Sequence, residues 1–208
     1  LFSVRGQFKE ARALIDKALF LDPMSLEATM QSAEYYLYEN NYEAALGESA
    51  KIKELFNIAQ WPYWVNFENY VKQGEHDKAI TELIAGWELI DESSKNVEQL
   101  KVAYKKLGIN GIYKWINDFD YEKYGGHPRD INNMWYNNWQ LYWMAQKFAF
   151  LEDNDNALDY LEIAFERGSV SLYRIKYDHY FNKLHTNPRF LDILEKMNLG
   201  GYDQRLKL

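Results

Sequence analysis

The 208-residue chain contains no cysteine, which excludes disulfides, thiolate metal sites and cysteine nucleophiles. Its 4 Pro and 11 Gly are few enough to leave long uninterrupted helices. No apolar run is long enough to span a bilayer and no signal sequence is visible, so membrane insertion is not expected. Basic residues are outnumbered, 24 Lys and Arg against 31 Asp and Glu, for a net charge of −7. Without a Lys/Arg-rich run, direct nucleic-acid binding by this segment is disfavoured. The missing cysteines suit a reducing, cytoplasmic setting without fixing one. Aromatic residues are abundant instead: 17 Tyr, 11 Phe and 7 Trp within a composition that is 47% hydrophobic, ample material for a core and contrary to disorder.

One pattern recurs. Phe8 and Ala11 return as Tyr42 and Ala45 and then as His76 and Ala79, each time 34 residues on, with the turn residues Gly6, Asn40 and Gly74 in step. A shared period at three positions predicts a helix-turn-helix repeat, and hence an all-α fold of stacked antiparallel helix pairs with at least eight helices. Ala11 and Ala18 are seven apart on one helical face, and Leu14, Ile15 and Leu19 widen that stripe. Pro23 is placed to open the next helix with Asp22 as its N-cap.

The stretch GQFKEARALIDKALFLDP resembles the second helix of a tetratricopeptide repeat (TPR), close to G-D-Y-x-x-A-L-x-x-Y-x-K-A-L-x-L-D-P. The next copy pairs residues 24–38 with Tyr42, Ala45, Ser49 and Ile52, and the third pairs 62–72 with Ala79, Leu83 and Gly86. The family's small residue on the first helix is matched by Ala33 but replaced by Phe67. Ile52 and Gly86 stand where the family has Ala. The chain opens without Met inside what reads as the end of a helix (residues 1–5), so it is expected to be a fragment whose first repeat is truncated.

A polar stretch, residues 91–96, closes this block. Val97, Leu100, Tyr104 and Leu107 mark a helix over about 97–106, residues 108–111 a turn, and Ile109, Ile112, Tyr113, Ile116 and Phe119 a second stripe. This hairpin lacks the repeat signature. The register returns with a helix over 135–151, where Ala145 and Phe148 match Ala33 and Tyr36, and a partner over 156–167 carrying Ala157 and Ala164. Three regions are therefore expected: TPR-like repeats over 1–90, an atypical hairpin and linker over 91–134, and a TPR-like pair with a capping segment over 135–208. From Tyr160 to Met197 the sequence also resembles the C-terminal TPR region of bacterial multidomain transcriptional and signalling regulators, departing at His179 (Pro in the family) and Asn187 (Asp). That resemblance implies an output domain elsewhere in a longer regulatory protein.

In TPR arrays the first helices line a concave groove. Transferring those positions gives Glu27, Met30, Glu34, Leu37 and Tyr38, then Trp61, Trp64, Glu68, Val71 and Lys72, then Trp139, Tyr142 and Gln146. The face is aromatic and acidic and lacks the Lys/Asn pattern that clamps a peptide carboxylate. It suits a protein or peptide with apolar or aromatic anchors, another domain of the full-length chain, or a second copy. The alternative for each aromatic is burial against the chain's own segments.

Other constellations are weak. Asp153-Asn154-Asp155-Asn156 opens like a calcium loop, but Leu158 and Ala164 occupy the positions of the required Gly and Glu, so a capped turn is expected. His179 and His185 read as surface or packing residues, and Asp118, Asp120 and Glu122 as a solvated helical face. No catalytic set, metal site or cofactor motif is recognised. The expected function is a non-catalytic interaction or sensory segment. The alternatives are a small-ligand receptor or enzyme using the aromatic groove, and an architectural dimerisation segment.

Overall fold

A computed structural model describes residues 8–56, 60–90, 94–124, 126–127 and 138–200. Among these residues the regular elements are helical: α1 (Phe8–Leu21), α2 (Leu26–Tyr38), α3 (Tyr42–Phe56), α4 (Trp61–Lys72), α5 (His76–Glu88), α6 (Lys95–Lys123), α7 (Asn138–Phe150), α8 (Asn154–Glu166) and α9 (Pro188–Lys196), with 3-10 turns at Val170–Arg174 and His179–Leu184. No described helix is long and apolar enough to cross a membrane. The chain divides into two compact units, one spanning Phe8–Ile112 and the other containing the chain from Tyr113 onward. The expected 135–137 end of α7 lies outside the described residues.

The antiparallel pairs are α2/α3, α4/α5 and α7/α8. All three turn in the same way. Asn40, Gly74 and Glu152 take positive φ (57°, 73° and 63°). The following N–H then reaches back to the carbonyl five residues earlier: Asn41 to Tyr36 (2.9 Å), Glu75 to Tyr70 (2.9 Å) and Asp153 to Phe148 (3.0 Å). This closure satisfies carbonyls that a helix end otherwise leaves open. It also fixes the register in which Ala45, Ala79 and Ala157 are fully buried, where the small side chains let the paired helices approach.

In the first unit α3 packs on both α2 and α4, while α2 and α4 also touch each other. Polar ties fasten the α3/α4 crossing: Ser49 Oγ donates to the Pro62 carbonyl and Asn69 Nδ2 to the Tyr42 carbonyl, each at 3.0 Å. Phe67, at the position of Ala33, is fully buried. The entry to α2 differs from expectation. Ser25, not Asp22, caps it, accepting from the Ala28 N–H, and Pro23 stays in the preceding turn, where Asp22 Oδ1 accepts from the Met24 N–H at 3.1 Å. The Ser side chain reaches the open N–H groups, and the chain gains two turn residues before the helix begins.

Residues 95–123 form one helical run broken at Gly108 alone, whose φ and ψ are 59° and −143°. The expected four-residue turn is thus a one-residue corner. Gly111 is already helical, and a Cβ there would fall 2.1 Å from the Ala103 carbonyl oxygen. The limb before Gly108 is tied to α5 by Tyr104, whose hydroxyl donates to Asp77 at 2.8 Å.

The core of the second unit is α7 against α8, closed by the two 3-10 turns and α9. Tyr142, Leu158, Leu161, Phe181 and Phe190 are buried together. Asp153 caps α8 through the Asn156 N–H, as the capped-turn reading expects, and Asn187 caps α9 through the Arg189 N–H at 2.9 Å. Arg189 then pairs with Glu162 at 2.7 Å, fastening α9 to α8.

Candidate functional site

The predicted groove residues are divided between the two units. In the first unit they lie on α2 and α4. Positions 27, 30, 34, 37 and 38 of α2 and 61, 64, 68, 71 and 72 of α4 follow the 3- and 4-residue steps of one helical stripe. Met30, Glu34, Leu37, Tyr38, Trp61, Trp64, Val71 and Lys72 are half-buried, Glu27 is exposed, and Glu68 is buried. Glu27 accepts from Gln31 at 3.1 Å. Trp64 packs on Phe67 with ring centroids 5.1 Å apart, so the large residue at the irregular position supports one of the predicted anchors from behind.

Lys72 joins the two helices. Its Nζ donates to the Leu37 carbonyl at 3.2 Å and lies 5.8 Å from the Tyr38 ring centroid. That carbonyl is in the last turn of α2, where an ammonium is also favoured by the helix dipole. The cation is held on backbone, while Glu27, Glu34 and Glu68 give the stripe its acidic character. Such a face combines half-buried aromatic rings with acidic side chains.

In the second unit the predicted residues are Trp139, Tyr142 and Gln146 of α7, and the structure separates them. Trp139 is exposed and meets Trp143 edge-on at 4.8 Å. Tyr142 is fully buried and donates to Asp178 Oδ2 at 2.7 Å, and Gln146 Nε2 donates to the same oxygen at 2.6 Å. Asp178 Oδ1 accepts from the Tyr180 N–H at 3.1 Å, at the cap of the second 3-10 turn. The chain's own 3-10 segment therefore occupies the face of α7 that carries Tyr142 and Gln146. Of the groove positions, the α2 and α4 sets come together, and the α7 set serves largely as a support for Asp178.

Sequence reasoning passed over the polar and aromatic seam between the later limb of α6 and α7. Tyr113 and Tyr180 share a hydroxyl–hydroxyl hydrogen bond of 2.7 Å, and the Tyr113 ring lies 4.1 Å from that of Phe150. Lys147, buried, donates to Asp120 at 2.8 Å. Gln140 donates to the Tyr124 hydroxyl, whose acidity is lowered by burial and by the charge of Asp120. Asp120 thus leaves the solvated face assigned to it, whereas Asp118 stays exposed and pairs with Lys114. The missed signal is the stripe Tyr113, Asn117, Asp120 and Tyr124, whose spacing puts a carboxylate on the aromatic side of the helix. His179 is partly exposed beside Asp178, while His185 is buried against Phe190 with ring centroids 5.2 Å apart. Among the described residues, no group of three or more His, Asp or Glu is placed to hold a metal ion.

The chain matches no family model, no curated protein and no solved structure.

Proposed function

We propose that this chain is a non-catalytic scaffold of TPR type that holds a peptide or protein segment along the α2–α4 face. The observation that carries this reading is the side-by-side placement of α2 and α4, fastened by Lys72 to the Leu37 carbonyl. Met30 and Glu34 belong to the predicted stripe of the one helix, and Trp61 and Trp64 to that of the other. Stability alone requires each helix to bury the side facing α3 or α5. Trp61 and Trp64 are only half-buried, and a partner's apolar residues gain most from contact with such aromatic rings. The partner favoured by this chemistry is a segment with an aromatic or aliphatic anchor flanked by Lys or Arg. The likeness of residues 160–197 to the closing segments of bacterial regulators supports placing the scaffold inside a larger regulatory protein as its interaction or sensory part.

The test is selection of peptides from a random display library on the immobilised chain, followed by calorimetry against wild type, Trp61→Ala and Glu34→Gln. Selected peptides should carry an aromatic residue near a basic one. Trp61→Ala should weaken them by roughly tenfold or more, about 1.4 kcal/mol, while the denaturation midpoint changes little. Peptides that bind both variants as tightly as wild type would place the binding surface elsewhere.

A further inference from the structure

Two kinds of contact hold the chain around α7. Toward α8 the contact is apolar: the buried cluster of this unit is built from α7, α8, the 3-10 turns and α9, and of residues 113–124 only Tyr124 packs against it. Toward the later limb of α6 the contact is largely polar. Tyr113 shares a hydroxyl bond with Tyr180, Asp120 accepts from Lys147, and the Tyr124 hydroxyl accepts from Gln140. Between Tyr113 and Asp120, on the same helical stripe, stands Asn117. It is 3% exposed, and neither Nδ2 nor Oδ1 has a hydrogen-bond partner among the described residues. A carboxamide carries two N–H donors and an acceptor oxygen. When the seam is closed, Asn117 surrenders its bonds to water and gains none in return, a loss that native interiors rarely carry. A leucine of similar size would lose no hydrogen bond there.

We propose that residues 113–124 form a strap that opens reversibly from α7 while α7, α8 and α9 stay packed, with Asn117 setting the balance between the closed and open forms. The seam's own chemistry favours this division. On opening, water replaces each of the three side-chain bonds, so their net loss is small, and the Asn117 amide regains the partners it lacks when closed. The ring contacts given up are those of Tyr113 with Phe150 and Tyr180, whose centroids lie 4.1 and 6.3 Å away. Parting α7 from α8 would instead expose Leu158, Leu161 and the rest of the apolar cluster, and α9 is fastened to α8 by the Arg189 pair with Glu162. A contact made of replaceable polar bonds is the one that opens first. Opening bares Lys147, Phe150 and Tyr180 together, so the strap is a gate over that face of α7. It lies apart from the α2–α4 residues, and its test does not depend on the reading given to them.

In the wild-type chain, hydrogen exchange read by mass spectrometry should show the amides of residues 113–124 exchanging at least about tenfold faster than those of α7 and α8. A short helix detached from its support does not keep its own hydrogen bonds, so detachment and exchange go together. Asn117→Leu should slow exchange in this segment by at least about tenfold, more than the helix preference of leucine over asparagine supplies alone, and leave α8 unchanged. Since the chain has no cysteine, Asn117→Cys supplies a unique thiol. A small disulfide reagent should label it faster than global unfolding of the same variant allows. That rate should respond little to low urea, because a local opening exposes little surface. Exchange of residues 113–124 in step with α7 and α8, or labelling no faster than global unfolding permits, would show that the strap does not open by itself and overturns the proposal. Smaller slowing in Asn117→Leu, or faster exchange, would mean that the amide is hydrogen-bonded in solution and does not set the balance, which overturns it as well.

Discussion

A Cβ added to Gly86 would lie 2.8 Å from the Cβ of Tyr63, so α5 passes α4 at a spacing that glycine permits and alanine does not. Gly86 stands where α3 has Ile52 and α8 has Ala164, and α4 in turn carries Phe67 where α2 has Ala33. This pair has thus exchanged sizes between its two helices: a large residue in the first, none in the second. In an open helix interior, Gly→Ala gains up to about 1 kcal/mol from propensity. Here the obstructing atom is the first of a side chain, fixed to the backbone of α4, and cannot swing aside. Gly86→Ala should therefore destabilise by about 1–3 kcal/mol, read as a lower urea midpoint. A raised midpoint would show that α4 and α5 part freely at this crossing.

Asp178 collects three donors, from Tyr142, Gln146 and the Tyr180 N–H, while itself 1% exposed. Tyr142→Phe removes one charge-assisted bond and should cost about 1.5–3 kcal/mol. Asp178→Ala should cost more, because it strands the Tyr142 hydroxyl and the Gln146 amide and removes the cap of the 3-10 turn. In a double-mutant cycle the two changes should be non-additive by about 1 kcal/mol or more. Additive losses in denaturant unfolding would mean that the two groups do not share a network in solution.

The pairing of helices was legible because it rests on local signals. Small residues at Ala45, Ala79 and Ala157, and a turn residue before each, are constraints that act within a few positions of one another. Pro23 misled because its preference for a first helical turn is weaker than the cap that Ser25 supplies two residues later. The fate of Tyr142 and Gln146 was not legible. Their partner Asp178 lies more than thirty residues on, in a segment whose 3-10 turns carry no strong period. Asp120 was misjudged in the same way: its neighbours in sequence are charged, but its helical phase is that of Tyr113 and Tyr124, and Lys147 comes from another helix. Local chemistry defines the elements, and only the packed chain shows which polar side chains are consumed in holding them.

The corner at Gly108 and the turn at Gly74 both use positive φ but place different demands on the residue. Asn40 and Glu152 occupy the position of Gly74 in the other two pairs, so that turn accommodates a side chain. Gly108 combines φ 59° with ψ −143°, a region that side-chain-bearing residues avoid. No atom lies within 4 Å of a Cβ built on either residue, so backbone strain alone separates them. Gly108→Ala should cost about 1–3 kcal/mol, and Gly74→Asn less than about 1 kcal/mol. Equal urea midpoints for the two variants would contradict this ranking.

His185 makes the stability of the second unit depend on pH. The ring is 6% exposed, and its pKa is lowered first by burial and then by the charge of Lys176. In the unfolded chain it returns to about 6.5. The unfolded state therefore binds a proton that the folded state resists, and stability rises with pH across the interval between the two values. The contribution is fully present above about pH 6.5 and is lost progressively as pH falls below it, until the buried ring also titrates. One group contributes at most about 1.4 kcal/mol per pH unit in that interval. His185→Leu replaces a buried imidazole that stacks on Phe190 with an apolar side chain that does not titrate. The variant should lose less stability than wild type between pH 7.5 and pH 5.5, as measured by urea unfolding at each pH. Remaining pH dependence in the variant reports the other titrating groups. Parallel stability profiles for the two proteins would show that His185 takes up its proton with equal ease in the folded and unfolded chain, and that its burial is relieved in solution.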